Sequence, residues 1–179
     1  MAILKRILLL LGMLLCFYPL VRQRISKVEE ERITSDYQAN QASEDVMGVI
    51  SIPKIDVMLP IYEGTGEEVL QKGIGHMEVG SSLLGGAGTH CLLAGHRGLP
   101  GKELFTRLGE LKEGDLFHLE VNNKRHTYQV CSIRVVRPEE TEGLGIWEDR
   151  DLVSLITCTP YGINTHRLIV TGERMEERE

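Results

Sequence analysis

From Met47 onward the chain is a series of short apolar runs punctuated by turn formers: "MGVISIP", "VMLPIY", "HCLLAG", "LFHLEV", "HTYQVCSIRVV", "LVSLITC" and "RLIVTGE". Runs this short, at fairly regular spacing, predict an all-β barrel or sandwich. Asn122-Asn123 suits a two-residue hairpin turn between two of the runs, since asparagine tolerates positive φ. Two brief helices are expected, at Glu67 to Lys72 and at Glu103 to Leu108. Ahead of the domain, "SKVEEERITSDYQANQASED" (Ser26 to Asp45) is polar and lacks Gly and Pro, which predicts a helix or stalk. Before it, "ILLLLGMLLCFYPLV" (Ile7 to Val21) is apolar with Lys5 and Arg6 on one side and basic residues on the other. It is long enough, counted from Ala2, to span a thin bilayer, and no small-x-small cleavage site follows Phe17, so an uncleaved anchor is expected. The expected layout is a membrane anchor over residues 1–24, a polar juxtamembrane stalk over 25–46, a domain over 47–174 and a charged tail over 175–179. With the short N-terminus inside, the expected location is the cell membrane, single-pass, with the domain outside the cytoplasm.

Composition narrows the function. The chain has 179 residues, 42% hydrophobic and 26% charged, with a formal net charge of -6. Its basic residues form no stripe of the kind a phosphate backbone requires, so nucleic acid is excluded as a partner. Of four cysteines, Cys16 lies in the anchor, leaving Cys91, Cys131 and Cys158. An odd number leaves at least one thiol free or paired between molecules. A structural disulfide such as Cys91 to Cys131 is the alternative, but both sit inside apolar runs and read as buried thiols acting as small hydrophobes.

Cys158 is different. In "LITCTPYGINTHR" an apolar strand stops at Pro160, loop formers Gly162, Asn164 and Thr165 follow, and Arg167 opens a new β-branched run. A hairpin-like return of this kind carries a permanent cation back toward a thiol at the strand's mouth. Likewise "AGHRGLP" ends an apolar run in a glycine-flanked His96, and two strand ends of this kind are how a Cys/His pair is built. His118 and His126, flanking the Asn122-Asn123 turn, read as solvated. A metal site of His90, Cys91, His96 and Cys158 is disfavoured, because strand alternation puts Cys91 on the face opposite His90 and His96. The acidic loop Glu139, Glu140, Glu142 reads as solvated surface rather than a calcium site.

"LITCTPYGINTHRL" resembles the Thr-x-Thr-Cys type signature of sortases, and its "TCTPYGxNTHR" extension resembles the pilin-polymerising class C branch. "MGVISIPKIDVMLPIYEGT", "GIGHMEV", "LLAGHRGLPGKELFTRLGELKEGD" and "CTPYGINTHRLIVTGER" resemble that branch in order and spacing, covering nearly all of Met47 to Arg174. The resemblance implies an eight-stranded sortase-type β-barrel and a cysteine transpeptidase of Gram-positive type needing no cofactor and no metal. It also implies that His96, Cys158 and Arg167 are catalytic. The thiolate would cleave a Leu-Pro-x-Thr-Gly-like sorting signal between Thr and Gly. The resulting thioacyl enzyme would pass its acyl group to an amine. Thr157 and Thr159 are candidate substrate-binding residues; His76 and Arg97 match positions near the cleft only loosely and fall outside the implied catalytic set.

The implied partners are sorting signals of pilins or surface proteins, an acceptor amine, and the membrane through the N-terminal helix. A pilin lysine as acceptor means pilus assembly. A peptidoglycan precursor would mean housekeeping anchoring of surface proteins, and a barrel without turnover would be a pilus-assembly scaffold. Two features depart from the class C pattern: Ser35-Asp36-Tyr37 lacks the proline of the usual Asp-Pro-aromatic lid, and "GERMEERE" is charged where many members carry a second membrane segment.

Overall fold

The structure, a computed structural model, describes Arg6, Met13, Phe17, Tyr18, Val21, Arg24, Ile25 and residues 27–37 and 45–175. Most of the expected anchor therefore lies outside the described residues, and among those described no helix is long and apolar enough to cross a membrane. Residues 27–37 form helix α1. Its buried Thr34 donates its hydroxyl back to Glu30 O and Glu31 O, both at 2.9 Å, so the polar group enters the contact already satisfied.

Eight strands follow: β1 (Val46–Ile52), β2 (Val57–Glu63), β3 (Ile74–His76), β4 (Thr89–Ala94), β5 (Leu116–Val121), β6 (Lys124–Val136), β7 (Asp151–Thr159) and β8 (His166–Arg174). They close into a barrel in the order β1-β2-β3-β4-β7-β8-β6-β5, so no edge is left to recruit another chain. Two neighbours are parallel, β2 with β3 and β4 with β7; the remaining pairs are antiparallel. Alternation along β4, β7 and β8 turns Cys91, Leu93, Val153, Leu155, Leu168 and Val170 into the core. The even-numbered residues of β4 and β7, and Arg167, Ile169 and Thr171 of β8, take the outer face.

The seven apolar runs all become strands, and Asn122 and Asn123 turn the β5–β6 hairpin with φ of 50° and 61°. β3 is not among those runs, because three residues containing a glycine carry no readable alternation. The six-residue helix α2 (Glu67–Lys72) stands where expected. The second expected helix does not form. Glu103 to Leu108 is a chain of turns running into a 3-10 turn at Leu108–Glu110. Leu104 takes φ 41°, and the Phe105 amide donates to His96 O at 3.1 Å, which removes it from any helical ladder. Leu104, Phe105 and Leu108 instead plug the barrel and are almost wholly buried.

Two further expectations fail. Cys131 is exposed, because a register shift between Val130 and Ser132 places it on a β-bulge that turns its side chain outward. His126 is 7% exposed rather than solvated: its Nδ1 accepts from Arg174 Nη2 at 2.6 Å where β8 ends. His118 is half-buried and meets the Thr127 hydroxyl at 3.0 Å.

Candidate active site

Strand register brings the three sequence candidates into one row. Cys158 on β7 pairs directly with Arg167 on β8, and Ala94 at the end of β4 pairs with Ile156. Carrying the parallel β4–β7 register two residues further sets His96 beside Cys158. Residues side by side on adjacent strands face the same way, so the three side chains share the outer face at one end of the barrel. β7 stops at Thr159, directly before Pro160, as its missing amide requires. A small cavity is lined there by His96, Arg97, Gly98, Cys158, Tyr161, Gly162 and Asn164.

Gly95 makes the approach of β4 to β7 possible. A Cβ at this position would stand 2.6 Å from Ile74 Cδ1 and 2.8 Å from Phe105 Cδ2, so only glycine lets the backbone pass over the barrel plug. Its amide donates to Ile156 O at 3.0 Å, and its carbonyl accepts from the Thr157 hydroxyl at 2.7 Å. Thr157 is 2% exposed and committed to that bond. Direct substrate contact, expected for Thr157, does not fit this burial. It ties β7 to the residue preceding His96 instead. The hydroxyl of Thr159 is engaged as well, accepting from Arg97 Nη1.

The chemistry available follows from the partners. His96 Nε2 is buried with no hydrogen-bond partner among the described residues; Glu67 Oε2, at 3.7 Å, is near enough for attraction but too far for a bond. Arg167 Nη1 donates to Asn164 O at 3.3 Å and His166 O at 3.1 Å, shaping the β7–β8 loop and leaving its other nitrogens for an incoming group. The other two thiols are poorly suited to react. Burial among apolar residues, with Asp151 and Glu63 adding to it, pushes the Cys91 thiol up to about 12. Burial also raises that of Cys131, against the lowering effect of Arg150. Among the described residues no group of histidine, cysteine and carboxylate side chains is arranged to hold a metal ion.

The family model of the sortase domain matches residues 50–175, which takes in β4, β7, β8 and the whole cavity. The chain belongs to the sortase family. Among curated proteins this sortase is 31% identical to Sortase D of Bacillus subtilis over 150 residues, 79% of this chain and 73% of that protein. Its structural neighbours are class C sortases. Sortase C1 of Streptococcus agalactiae is 50% identical, with a TM-score of 0.74 over 75% of this chain and 70% of that one. A Clostridium perfringens sortase C, whose structure contains the C-terminal cell wall sorting motif, is 40% identical, with a TM-score of 0.71 over 86% of this chain and 89% of that one. The eight-stranded barrel expected of a sortase is thus the barrel observed.

Arg97, which matches a position near the cleft only loosely and falls outside the implied catalytic set, lines the cavity and bonds both Cys158 O and Thr159. Its signal was its place directly after His96, where strand geometry must carry it toward the residue directly after Cys158.

Proposed function

We propose that this sortase is a cysteine transpeptidase that cleaves a Leu-Pro-x-Thr-Gly-like sorting signal between Thr and Gly and joins the threonyl carbonyl to a pilin lysine. The observation that carries the reading is the single row of His96, Cys158 and Arg167 on three adjacent strand ends beside one cavity. In that row an imidazole and a permanent cation stand on either side of the thiol, the first a base for its proton and the second a donor for the oxyanion. The Cys158 thiolate attacks the threonyl carbonyl, and the oxyanion is met by the Arg167 nitrogens that the loop carbonyls leave unbonded. Protonated His96 gives its proton to the departing glycine amine, and a thioester on Cys158 remains. An acceptor amine then attacks the thioester, His96 takes its proton, and Cys158 leaves as thiolate. The amide bond broken in the first half is balanced by the isopeptide bond formed in the second. Tyr161 and Ile163, 65% and 68% exposed on the β7–β8 loop, offer an apolar wall for the leucine and proline of the signal.

The likeness to class C sortases favours the pilin acceptor over a peptidoglycan amine. The apolar run at Ile7 to Val21 supports a membrane-anchored enzyme acting outside the cytoplasm. Incubation with a sorting peptide plus equal amounts of a pilin-derived lysine peptide and a peptidoglycan-type amine tests the assignment. Mass spectrometry should find the threonine joined to the lysine peptide and none joined in Cys158→Ala. A product dominated by the peptidoglycan-type amine would reverse the acceptor assignment. Unligated, uncleaved peptide with all acceptors would favour a scaffold.

A further inference from the structure

Arg97 carries an inference beyond the three-residue site. It is a half-buried guanidinium with no carboxylate partner among the described residues, an uncommon state for a cation withdrawn from water. Nη1 donates to Cys158 O at 3.3 Å and to the Thr159 hydroxyl, Nη2 lies over Gly109, where a Cβ would stand 3.3 Å from it, and Nε is buried without a partner. The pattern around it is symmetrical. On one side of the reacting pair the Thr157 hydroxyl is tied to Gly95 O; on the other the Thr159 hydroxyl is tied to Arg97. The residues before and after His96 are therefore bonded to the residues before and after Cys158.

We propose that Arg97 is a positioning residue of the transpeptidase site, closing the second of two ties that hold the Cys158 thiol in line with His96 and supplying an unpaired positive charge beside it. This rests on the transpeptidase reading above. Arg167 cannot serve in its place, because the nitrogen that it commits is bound to the carbonyls of Asn164 and His166, on the other side of Cys158. The tie also explains why Thr159 is a threonine in a strand that ends in the next residue: its hydroxyl is the acceptor that Arg97 needs.

The test uses the full chain and the variants Arg97→Ala, Arg97→Lys, Thr159→Val and Arg97→Ala/Thr159→Val. Two rates are measured: thioester formation with a Leu-Pro-x-Thr-Gly peptide, separated into kcat and KM, and alkylation of Cys158 by iodoacetamide at pH 7. Arg97→Ala should lower kcat on the order of 10- to 100-fold, the range for a misplaced reacting group, with KM changed by no more than about threefold. It should also slow alkylation. Thr159→Val should lower kcat less, and the double variant should be no worse than Arg97→Ala, since both break one tie. Arg97→Lys should recover most of the loss, because both bonds leave from one nitrogen and an ammonium can donate twice. Arg97→Ala within about twofold of wild type in kcat and alkylation, or additive losses in the double variant, would overturn the proposal. If Arg97→Ala does not fold, Thr159→Val alone decides: unchanged kcat overturns the tie and a lowered kcat at constant KM upholds it. A wild-type chain that fails to cleave the peptide defeats the transpeptidase reading instead, while the alkylation rates, which need no substrate, still decide the role of Arg97.

Discussion

Gly95→Ala is the substitution that the geometry constrains most tightly. The added methyl would stand 2.6 Å from Ile74 Cδ1, 2.8 Å from Phe105 Cδ2 and 3.1 Å from Phe105 Cε2, and both neighbours are completely buried. Ile74 Cδ1 is the end of a flexible side chain, but the Phe105 ring is held by its amide bond to His96 O and by the core around it. Overpacking of this kind costs about 1 to 3 kcal/mol, or roughly 3 to 10 °C in Tm for a domain of this size. The alternative to moving the ring is to lift the Gly95 backbone, which strains its bonds to Ile156 O and Thr157 and carries His96 away from Cys158. A shift of about 1 Å there is worth up to about 100-fold in rate. Thermal unfolding by circular dichroism and the rate of thioester formation on the same preparation measure the two effects. Adding Ile74→Val removes the atom in closest contact and should recover part of both losses. Gly95→Ala with wild-type Tm and wild-type acylation would refute the claim that this glycine sets the distance between the two strand ends.

Other outcomes follow from the same geometry. Arg167→Lys should lose on the order of 100-fold in kcat, because an ammonium cannot hold the loop carbonyls and still present a planar pair of donors to an oxyanion; near wild-type turnover would reduce Arg167 to a point charge. His90 is buried, with Nδ1 donating to Gly145 O at 2.9 Å and Nε2 accepting from the Ser154 hydroxyl at 2.8 Å, and burial lowers its affinity for a proton. The unfolded chain therefore binds the proton first as pH falls through about 6.5, and stability should drop below that pH. His90→Gln, which can keep both bonds, should flatten that part of the stability–pH curve, and an unchanged slope would place the titration elsewhere, with His118, whose proton affinity desolvation also lowers, as the next candidate. Chains beginning at Ile25 and at Asp45 should react with a thiol reagent at Cys158 at similar rates. Tyr37 donates to Met47 O at 3.0 Å and accepts from Asn122 N at 3.1 Å, at the end of the barrel opposite Cys158, and no described residue of α1 lines the cavity. A large acceleration on trimming would identify a lid within the removed segment.

The strands and the reacting three were legible because each is written locally. Apolar runs bounded by turn formers mark β1, β2 and β4 to β8, and two runs that end in a glycine-flanked histidine and a proline-stopped cysteine mark His96 and Cys158. What stayed hidden depends on contacts between distant segments. The plug at Leu104, Phe105 and Leu108 has a helical stripe, yet its backbone follows the Phe105 bond to His96 O rather than the stripe. Cys131 sits in an apolar run, yet a bulge that exists only against β8 turns it outward. Thr157 and Thr159 flank the cysteine as substrate contacts would, and only the register with β4 reveals that their hydroxyls face Gly95 and Arg97.

Intact-mass analysis of the full chain, quenched in acid during reaction with a Leu-Pro-x-Thr-Gly peptide, tests whether Cys158 carries the acyl group. One added acyl fragment ending at threonine should appear, mapped by peptide digestion to Cys158, discharged by hydroxylamine, and present at wild-type level in Cys91→Ala and Cys131→Ala. An adduct on Cys131 or Cys91, or peptide cleavage that persists in Cys158→Ala, would contradict that assignment.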